Sequence, residues 1–275
     1  DRIALLTKDF QGTVSLYAKN LDTGREFALR ADEPVRTAST IKLPILCGVA
    51  AEVAAGRAAW DEKLTVRAAD KVSGSGVLTE LADGTALPLR DLTNLMIVVS
   101  DNTATNVVLE RVPGDTINAF LDTLGLTRTR TLRKSPGDGT ALKAPSGWIA
   151  AGKRPENQRF GIGVSTPREM VRLLELLEQG KVVNAEASAH IVAVLKRQQF
   201  KDGIGRHAEG IEVGSKSGAL DALRSDVGIA YTKGGRIAMA ITVDGMPTTD
   251  YSPDNAGNLL IWQLSSALMD GLARH

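Results

Sequence analysis

Residues 39–56 read Ser39-Thr40-Ile41-Lys42-Leu43-Pro44-Ile45-Leu46-Cys47-Gly48-Val49-Ala50-Ala51-Glu52-Val53-Ala54-Ala55-Gly56. The stretch predicts a helix over 40–56 with apolar side chains on almost every face, so the helix is expected in the interior. A serine and a lysine three positions apart open it. Residues at this spacing share a helix face, so the Ser39 hydroxyl and the Lys42 amine can meet. The first helical turn leaves main-chain N–H groups unpaired, and one of them can point at a developing oxyanion. Leu43, Pro44 and Ile45 follow Lys42 and disfavour its charged form, which makes the amine a candidate base. A capping serine beside a surface lysine reads the same way, so the pair needs partners elsewhere in the chain.

Two further motifs supply them. Ser100-Asp101-Asn102 lies between helical patterns at 89–98 and 103–111. A second serine near the first can pass a proton to a leaving group, and an asparagine can bind a substrate amide. Ser, Asp and Asn are also the usual helix caps, which is the other reading of this junction. Lys216-Ser217-Gly218 falls on a predicted strand over 211–217. A lysine and a hydroxyl on a strand edge can hold a carboxylate. Gly218 leaves room for a substrate backbone, and the Ala219 N–H can serve as a second oxyanion donor. Alone, the tripeptide reads as a strand end near a turn.

Outward from these motifs, residues 12–18 and 25–29 alternate apolar and polar around Asp22-Thr23-Gly24, a β-hairpin pattern. Residues 61–87 read mainly as loop. Residues 134–163 form a long stretch rich in Gly, Pro and Lys, and structureless loops of this length inside a domain are usually functional. At 166–169, Thr166 fits an N-cap, Pro167 the first helical position and Glu169 the reciprocal capping carboxylate. Helices are predicted over 167–179 and 185–197. Strands follow over 211–217, 226–232 and 236–243, the last two joined by Lys233-Gly234-Gly235, and a helix closes the chain over 253–272. The expected fold class is α+β in a single catalytic domain, 1–275. Residues 1–36 and 205–275 build an α/β lobe whose antiparallel sheet, drawn from both termini, is flanked by helices. Residues 37–204 build an all-α lobe, and a cleft between the two is a natural place for chemistry.

Composition removes other classes. The 275 residues carry 33 basic and 32 acidic side chains, a net charge of +1, so nothing global favours nucleic acid or an anionic membrane. No apolar run approaches the roughly 18 residues of a membrane span. Cys47 is the one cysteine, so an internal disulfide and a thiolate zinc site are excluded. The histidines are His190, His207 and His275. With no Gly-x-Ser-x-Gly elbow, a Ser-His-Asp hydrolase is not expected, and no His-Glu-x-x-His or glycine-rich nucleotide loop is present.

Ser-x-x-Lys, Ser-Asp-Asn and Lys-Ser-Gly, in that order, resemble the motif set of class A β-lactamases and the wider penicillin-recognising serine hydrolases. The opening hairpin, the buried helix, the run Ser100-Asp101-Asn102-Thr103-Ala104-Thr105-Asn106, the Thr-Pro-Arg-Glu helix start, the three strands and the last helix follow that family in order. The resemblance implies a β-lactamase/transpeptidase-like fold and these roles. Ser39 attacks the carbonyl and is acylated, and Lys42 activates it. Ser100 relays a proton to the leaving nitrogen, and Asn102 holds the substrate side-chain amide. Lys216 and Ser217 bind the substrate carboxylate, while the N–H groups of Ser39 and Ala219 form the oxyanion hole. Arg224, in Arg224-Ser225-Asp226, either adds to carboxylate binding or makes a structural ion pair. The implied partner is a small β-lactam or related acyl compound, handled by a monomer with no cofactor and no metal. A first residue of Asp1 fits a secreted or periplasmic protein whose signal peptide has been removed, and a trimmed chain would begin the same way.

The chain departs from the family in one place. Class A enzymes carry Glu-x-x-Leu-Asn between the second and third motifs, and its glutamate activates the deacylating water. Glu110, Glu156, Glu169, Glu175, Glu178, Glu186, Glu209 and Glu212 all lack the Leu-Asn that should follow. Glu156, in Arg-Pro-Glu-Asn, is the nearest substitute base and Asp138, in Pro-Gly-Asp-Gly, the second; each also reads as a solvated loop carboxylate. Acylation without fast deacylation is the expectation. A D-alanyl peptidase, an esterase, or a penicillin-binding sensor that stays acylated are the alternatives on the same scaffold.

Overall fold

The computed structural model describes residues 2–138, 141–206 and 210–273; His207, Glu209 and His275 lie outside them. Helix α1 (Arg2–Thr7) precedes the expected hairpin of β1 (Thr13–Asn20) and β2 (Glu26–Leu29). Gly24, at φ 78°, supplies the left-handed residue that its turn needs. A short β3 (Val35–Arg36) leads into a 3₁₀ turn, Ala38–Ile41, and then α2 (Lys42–Ala54). The expected helix over 40–56 thus starts as a 3₁₀ turn and stops two residues early. Residues 42 to 50 are all buried, as the apolar pattern requires.

The segment read as loop contains two four-residue strands, β4 (Lys63–Val66) and β5 (Thr85–Pro88), paired with Leu64 opposite Leu87. Both leucines pack on the main core, a tertiary contact that four residues of alternation do not announce. Helices α3 (Leu89–Val98) and α4 (Asn102–Arg111) flank Ser100-Asp101 as predicted. An unassigned α5 (Gly114–Thr123) follows Pro113. The long Gly/Pro-rich stretch is partly ordered. It holds α6 (Pro155–Gln158) and lies between β6 (Arg130–Thr131) and β7 (Gly163–Ser165), which form a small sheet with β3.

Thr166 caps α7 (Pro167–Glu178), accepting from the Glu169 N–H at 3.2 Å. The reciprocal half of the cap is absent. The Glu169 carboxylate accepts instead from the Arg128 N–H at 3.0 Å and the Thr129 hydroxyl at 2.6 Å, so it pins the chain entering β6. Asn184 caps α8 (Ala185–Lys196). Then β8 (Glu212–Leu220), β9 (Leu223–Thr232) and β10 (Gly235–Asp244) run as a meander, and α9 (Ala256–Leu272) closes the chain.

The main sheet has the order β2-β1-β10-β9-β8, so the two ends of the chain join where β1 pairs with β10. Alternation divides β10 between two cores. Ile237, Met239, Ile241 and Val243 face a cluster built with α9, while Ala238 and Ala240 face the larger cluster that includes α2, α7 and α8 residues. With both faces covered, the strand reads as one apolar run. Helices α7 and α8 therefore lie against the sheet although they fall within the 37–204 segment, and one face of the sheet shares a core with them. β8 is left as the edge strand beside the helices.

Asn20 ties this arrangement at a corner. It is fully buried, and its Nδ2 donates to Gly234 O at 3.0 Å and Leu272 O at 2.8 Å. Its Oδ1 accepts from the N–H groups of Asp22 at 3.0 Å and Thr23 at 3.2 Å. One side chain thus fastens the first hairpin, the β9–β10 turn and the end of α9. Asn20→Ala leaves these groups without their partner and should destabilise the fold by about 2–3 kcal/mol, read as a lower urea midpoint.

Candidate active site

Ser39 stands in the 3₁₀ turn, just behind Ala38, whose φ of 47° is left-handed without being glycine. The turn is held from both sides. The Thr37 N–H donates to Gly163 O at 3.1 Å, and Thr37 O accepts from the Thr40 N–H at 3.2 Å and hydroxyl at 2.8 Å. Opposite lies β8. A β-carbon on Gly218 would fall 2.9 Å from Ser39 N and from Thr37 O, so only glycine lets the strand pass this close. The contact brings Ser39, Ser217, Gly218 and Ala219 into one cleft of about 560 Å³.

Lys42 lies beneath that cleft, fully buried on the first turn of α2. Its Nζ donates to Ser100 O at 2.7 Å, Ser100 Oγ at 3.1 Å and Asn102 Oδ1 at 2.8 Å. None of these bonds goes to Ser39; the second motif, brought 58 residues along the chain, is the partner. Burial, and then the charge of Lys216, pull the Lys42 amine well below its usual range, while Asp101 opposes them. When the amine is neutral the Ser100 hydroxyl can donate to it, so the contact persists in either state.

Ser100 is held at φ 54°, also left-handed. Asp101 clamps it there. Its carboxylate caps α4 through the Ala104 N–H at 2.8 Å and accepts from the N–H groups of Val77 at 2.6 Å and Leu78 at 2.9 Å. The capping reading of the motif is therefore correct for Asp101, and it coexists with a place in the cleft wall for Ser100 and Asn102 on either side. Asn102 is fixed by its N–H to Ser75 O at 2.9 Å and its Nδ2 to Ser73 O at 3.1 Å.

Lys216 is also fully buried, and its Nζ donates to Ser217 O at 2.6 Å. Burial depresses this amine to about 7, with Asp226 pulling the other way. Arg224 lines the cleft but is engaged elsewhere. It donates to Leu220 O at 2.5 Å, Leu223 O at 2.6 Å and Asp250 O, and its guanidinium sits 4.7 Å from the Tyr251 ring centre. Burial lowers its pKa as well.

The two proposed substitute bases part company. Glu156 is exposed on α6 and faces a separate groove lined by Asp115, Asp122, Arg128 and Phe160. Asp138 lines the Ser39 cleft: a β-carbon on Gly74 would fall 2.6 Å from Asn102 Nδ2 and 3.6 Å from Asp138 Oδ2. Sequence reasoning passed over Ser135, which also lines the cleft and is buried. Asn106 sets its position, donating to Ser135 O at 2.9 Å and accepting from its N–H at 2.8 Å. The available signal was Asn106 itself, four residues after Asn102 and so on the same face of α4. Among the described residues, no group of His, Cys, Asp and Glu could hold a metal ion, and no helix is long and apolar enough to cross a membrane.

The whole arrangement has relatives. A β-lactamase of known structure from Sphaerobacter thermophilus is 31% identical, superposes with a TM-score of 0.84, and is matched over 98% of this chain and 95% of its own. A Citrobacter koseri β-lactamase is 25% identical over 256 residues, 90% of this chain and 81% of that protein. The β-lactamase SME-1 of Serratia marcescens is 26% identical over 190 residues, a match that spans 68% of this chain and 59% of that protein. Residues 1–272 match the β-lactamase enzyme family as a whole. A fold of helices around an antiparallel sheet, a serine turn against its edge strand and this match along nearly the full length make the chain a member of the β-lactamase enzyme family.

Proposed function

We propose that the protein opens β-lactam amides through an acyl-Ser39 intermediate and releases the acyl group slowly. The observation that carries this reading is the buried Lys42 amine meeting Ser100 and Asn102 in the cleft that Ser39 and the Lys216-Ser217-Gly218 strand share. Lys42, whose charged form burial disfavours, takes the proton as Ser39 Oγ bonds to the lactam carbonyl carbon. The N–H groups of Ser39 and Ala219 receive the oxyanion. Lys42 passes the proton through the Ser100 hydroxyl to the ring nitrogen, and the C–N bond breaks. Asn102 holds the side-chain amide, and Lys216 and Ser217 hold the carboxylate. Arg224, saturated by main-chain carbonyls, stiffens the β8–β9 hairpin and adds charge from a distance.

Deacylation is the weak step. Asp138 lines the cleft across Gly74 from Asn102, and it is exposed, so it makes a poorly held base for water; Glu156 faces a different groove. A fold neighbour, 24% identical with a TM-score of 0.81, is described as a point mutant of PBP-A in an acyl-enzyme complex with penicillin G, so this fold can house such an adduct. The same acylating groups would serve a D-alanyl peptidase or esterase. We take the protein to act as a monomer outside the cytoplasm, secreted or periplasmic, where β-lactams are met.

Incubation with benzylpenicillin should give an adduct by intact mass that outlasts its formation and is missing from Ser39→Ala; rapid multiple turnover with no adduct would count against slow release. Asp138→Asn should lengthen the adduct lifetime, by up to ~10²-fold, whereas Glu156→Gln should leave it unchanged. The acylation rate should follow a bell in pH. On the acid side Lys42 gains a proton and ceases to be a base, and because its pKa is lowered this limb lies well below that of an ordinary lysine. On the alkaline side Lys216 loses its charge through about 7, weakening carboxylate binding. A flat profile between pH 5 and 9, notwithstanding the two lysines, would remove them from these roles.

A further inference from the structure

Arg133 lines the Ser39 cleft, and the chemistry above gives it no part. Two arginines line this cleft, and they are satisfied differently. Arg224 donates to the carbonyls of Leu220, Leu223 and Asp250. The Arg133 guanidinium meets neither a carboxylate nor a carbonyl among the described residues, and its Nε is buried with no hydrogen-bond partner. Arg36 and Arg130, half-buried like it, each meet a carboxylate, Asp244 and Asp122. Burial lowers the Arg133 pKa, and no acid stands close enough to oppose it. A half-buried cation without a partner is costly, and an incoming anion would remove that cost.

The contacts that hold Arg133 leave its donors free. The Lys134 N–H donates to Gly147 O at 3.1 Å and the Ile149 N–H to Leu132 O at 2.9 Å, so Arg133 and Trp148 stand opposite each other in a short antiparallel bridge. The guanidinium carbon sits 4.5 Å from the Trp148 ring centre. A guanidinium resting on an aromatic face keeps its in-plane N–H groups available for a bidentate carboxylate. The same stretch is tied to the second motif. Ser135, two residues on, is clamped through both its main-chain groups by Asn106, one turn beyond Asn102 on α4. Asn102, Ser135 and Arg133 all line the cleft, and an acyl side chain runs toward them once Asn102 holds its amide. Asp138, Asp202 and Asp226 line the cleft too, and none forms an ion pair with Arg133. Asp138, in the same loop, is exposed, where water and salt screen it.

We propose that Arg133 is a specificity-determining residue that binds a carboxylate on the acyl side chain of the substrate, so that the cleft selects compounds with a second negative charge beyond the one held by Lys216 and Ser217. A neutral aryl side chain leaves the guanidinium unpaired, and a protonated amine at the same position meets it with like charge. The side-chain carboxylate takes no part in bond making. It adds charge-assisted hydrogen bonds, which are the strong ones, at a site already held in place by Trp148. The substrate class thus narrows from β-lactams in general to dianionic ones.

The inference rests on the acylation reading, and the two fail differently. Carbenicillin is benzylpenicillin with a carboxylate added at the side-chain α-carbon, so the pair isolates that one group. Second-order acylation of Ser39 by each is followed by intact mass at pH 7 in wild type, Arg133→Gln and Arg133→Lys. The ratio of the carbenicillin rate to the benzylpenicillin rate should fall about tenfold in Arg133→Gln, the effect of one lost charge-assisted contact, and Arg133→Lys should keep part of it. An unchanged ratio in Arg133→Gln, or an equal loss for both compounds, overturns the role of Arg133 and leaves acylation standing. No adduct in wild type with either compound overturns both. Should Arg133→Gln fail to fold, wild type alone decides. Ampicillin carries an ammonium at the same carbon, so apparent affinity should fall in the order carbenicillin, benzylpenicillin, ampicillin, and any other order overturns the proposal.

Discussion

Two primary amines, Lys42 and Lys216, are fully buried against one cleft, and the rest of the site is arranged around that constraint. Taking an ammonium out of water is costly, and two of them near each other repel as well. The structure answers with acceptors: Ser100 and Asn102 receive Lys42, and Ser217 O receives Lys216. The second motif is thus a receptor for the first. Removing any one of these elements would leave a buried lysine without its partner, which links the stability of the site to its chemistry.

The same site holds backbone strain. Ala38 and Ser100 both adopt left-handed φ without being glycine, one beside the proposed nucleophile and one at the proposed proton relay. Residues held this way cost of order 1–3 kcal/mol each and persist where their surroundings over-determine them. Here the surroundings are the Thr37 hydrogen bonds around the serine turn and the Asp101 clamp below the relay. Gly218 and Gly76 make both approaches possible, since a β-carbon on Gly76 would meet the Asp101 carboxylate at 2.3 Å. The strain aims Ser39 and the Ser100 hydroxyl into one cleft, and it is carried by main-chain contacts rather than by the side chains that react.

Much of this was legible one residue at a time. The apolar faces of 40–56 announced a buried helix, Asp22-Thr23-Gly24 a turn, and the period-two runs after 210 the closing meander. The resemblance of the ordered motif set to the β-lactamases singled out Ser39, Lys42, Ser100, Asn102, Lys216 and Ser217 before any of them could be seen together. Elements held by distant packing were harder. β4 and β5 are four residues each and depend on the main core, and α5 follows a proline without a polar cap. Glu169 looked like a capping partner because its spacing to Thr166 is right, yet the segment before β6 offered its carboxylate better donors. Glu156 ranked ahead of Asp138 as a loop acid, and the structure puts Asp138 rather than Glu156 in the cleft, because a loop pattern does not say which way the loop folds.

The sequence by itself determined the residues that can react and the elements that bear them, because a helix or strand period fixes which neighbours share a face. Only the tertiary structure decided how those residues divide the work. Whether a lysine is a base or a cation depends on burial and on charges that arrive from elsewhere in the chain, and these are properties of packing, not of spacing. So Lys42 finds Ser100 rather than Ser39, Arg224 turns to carbonyls, and Asp138 lines the Ser39 cleft while Glu156 faces another groove.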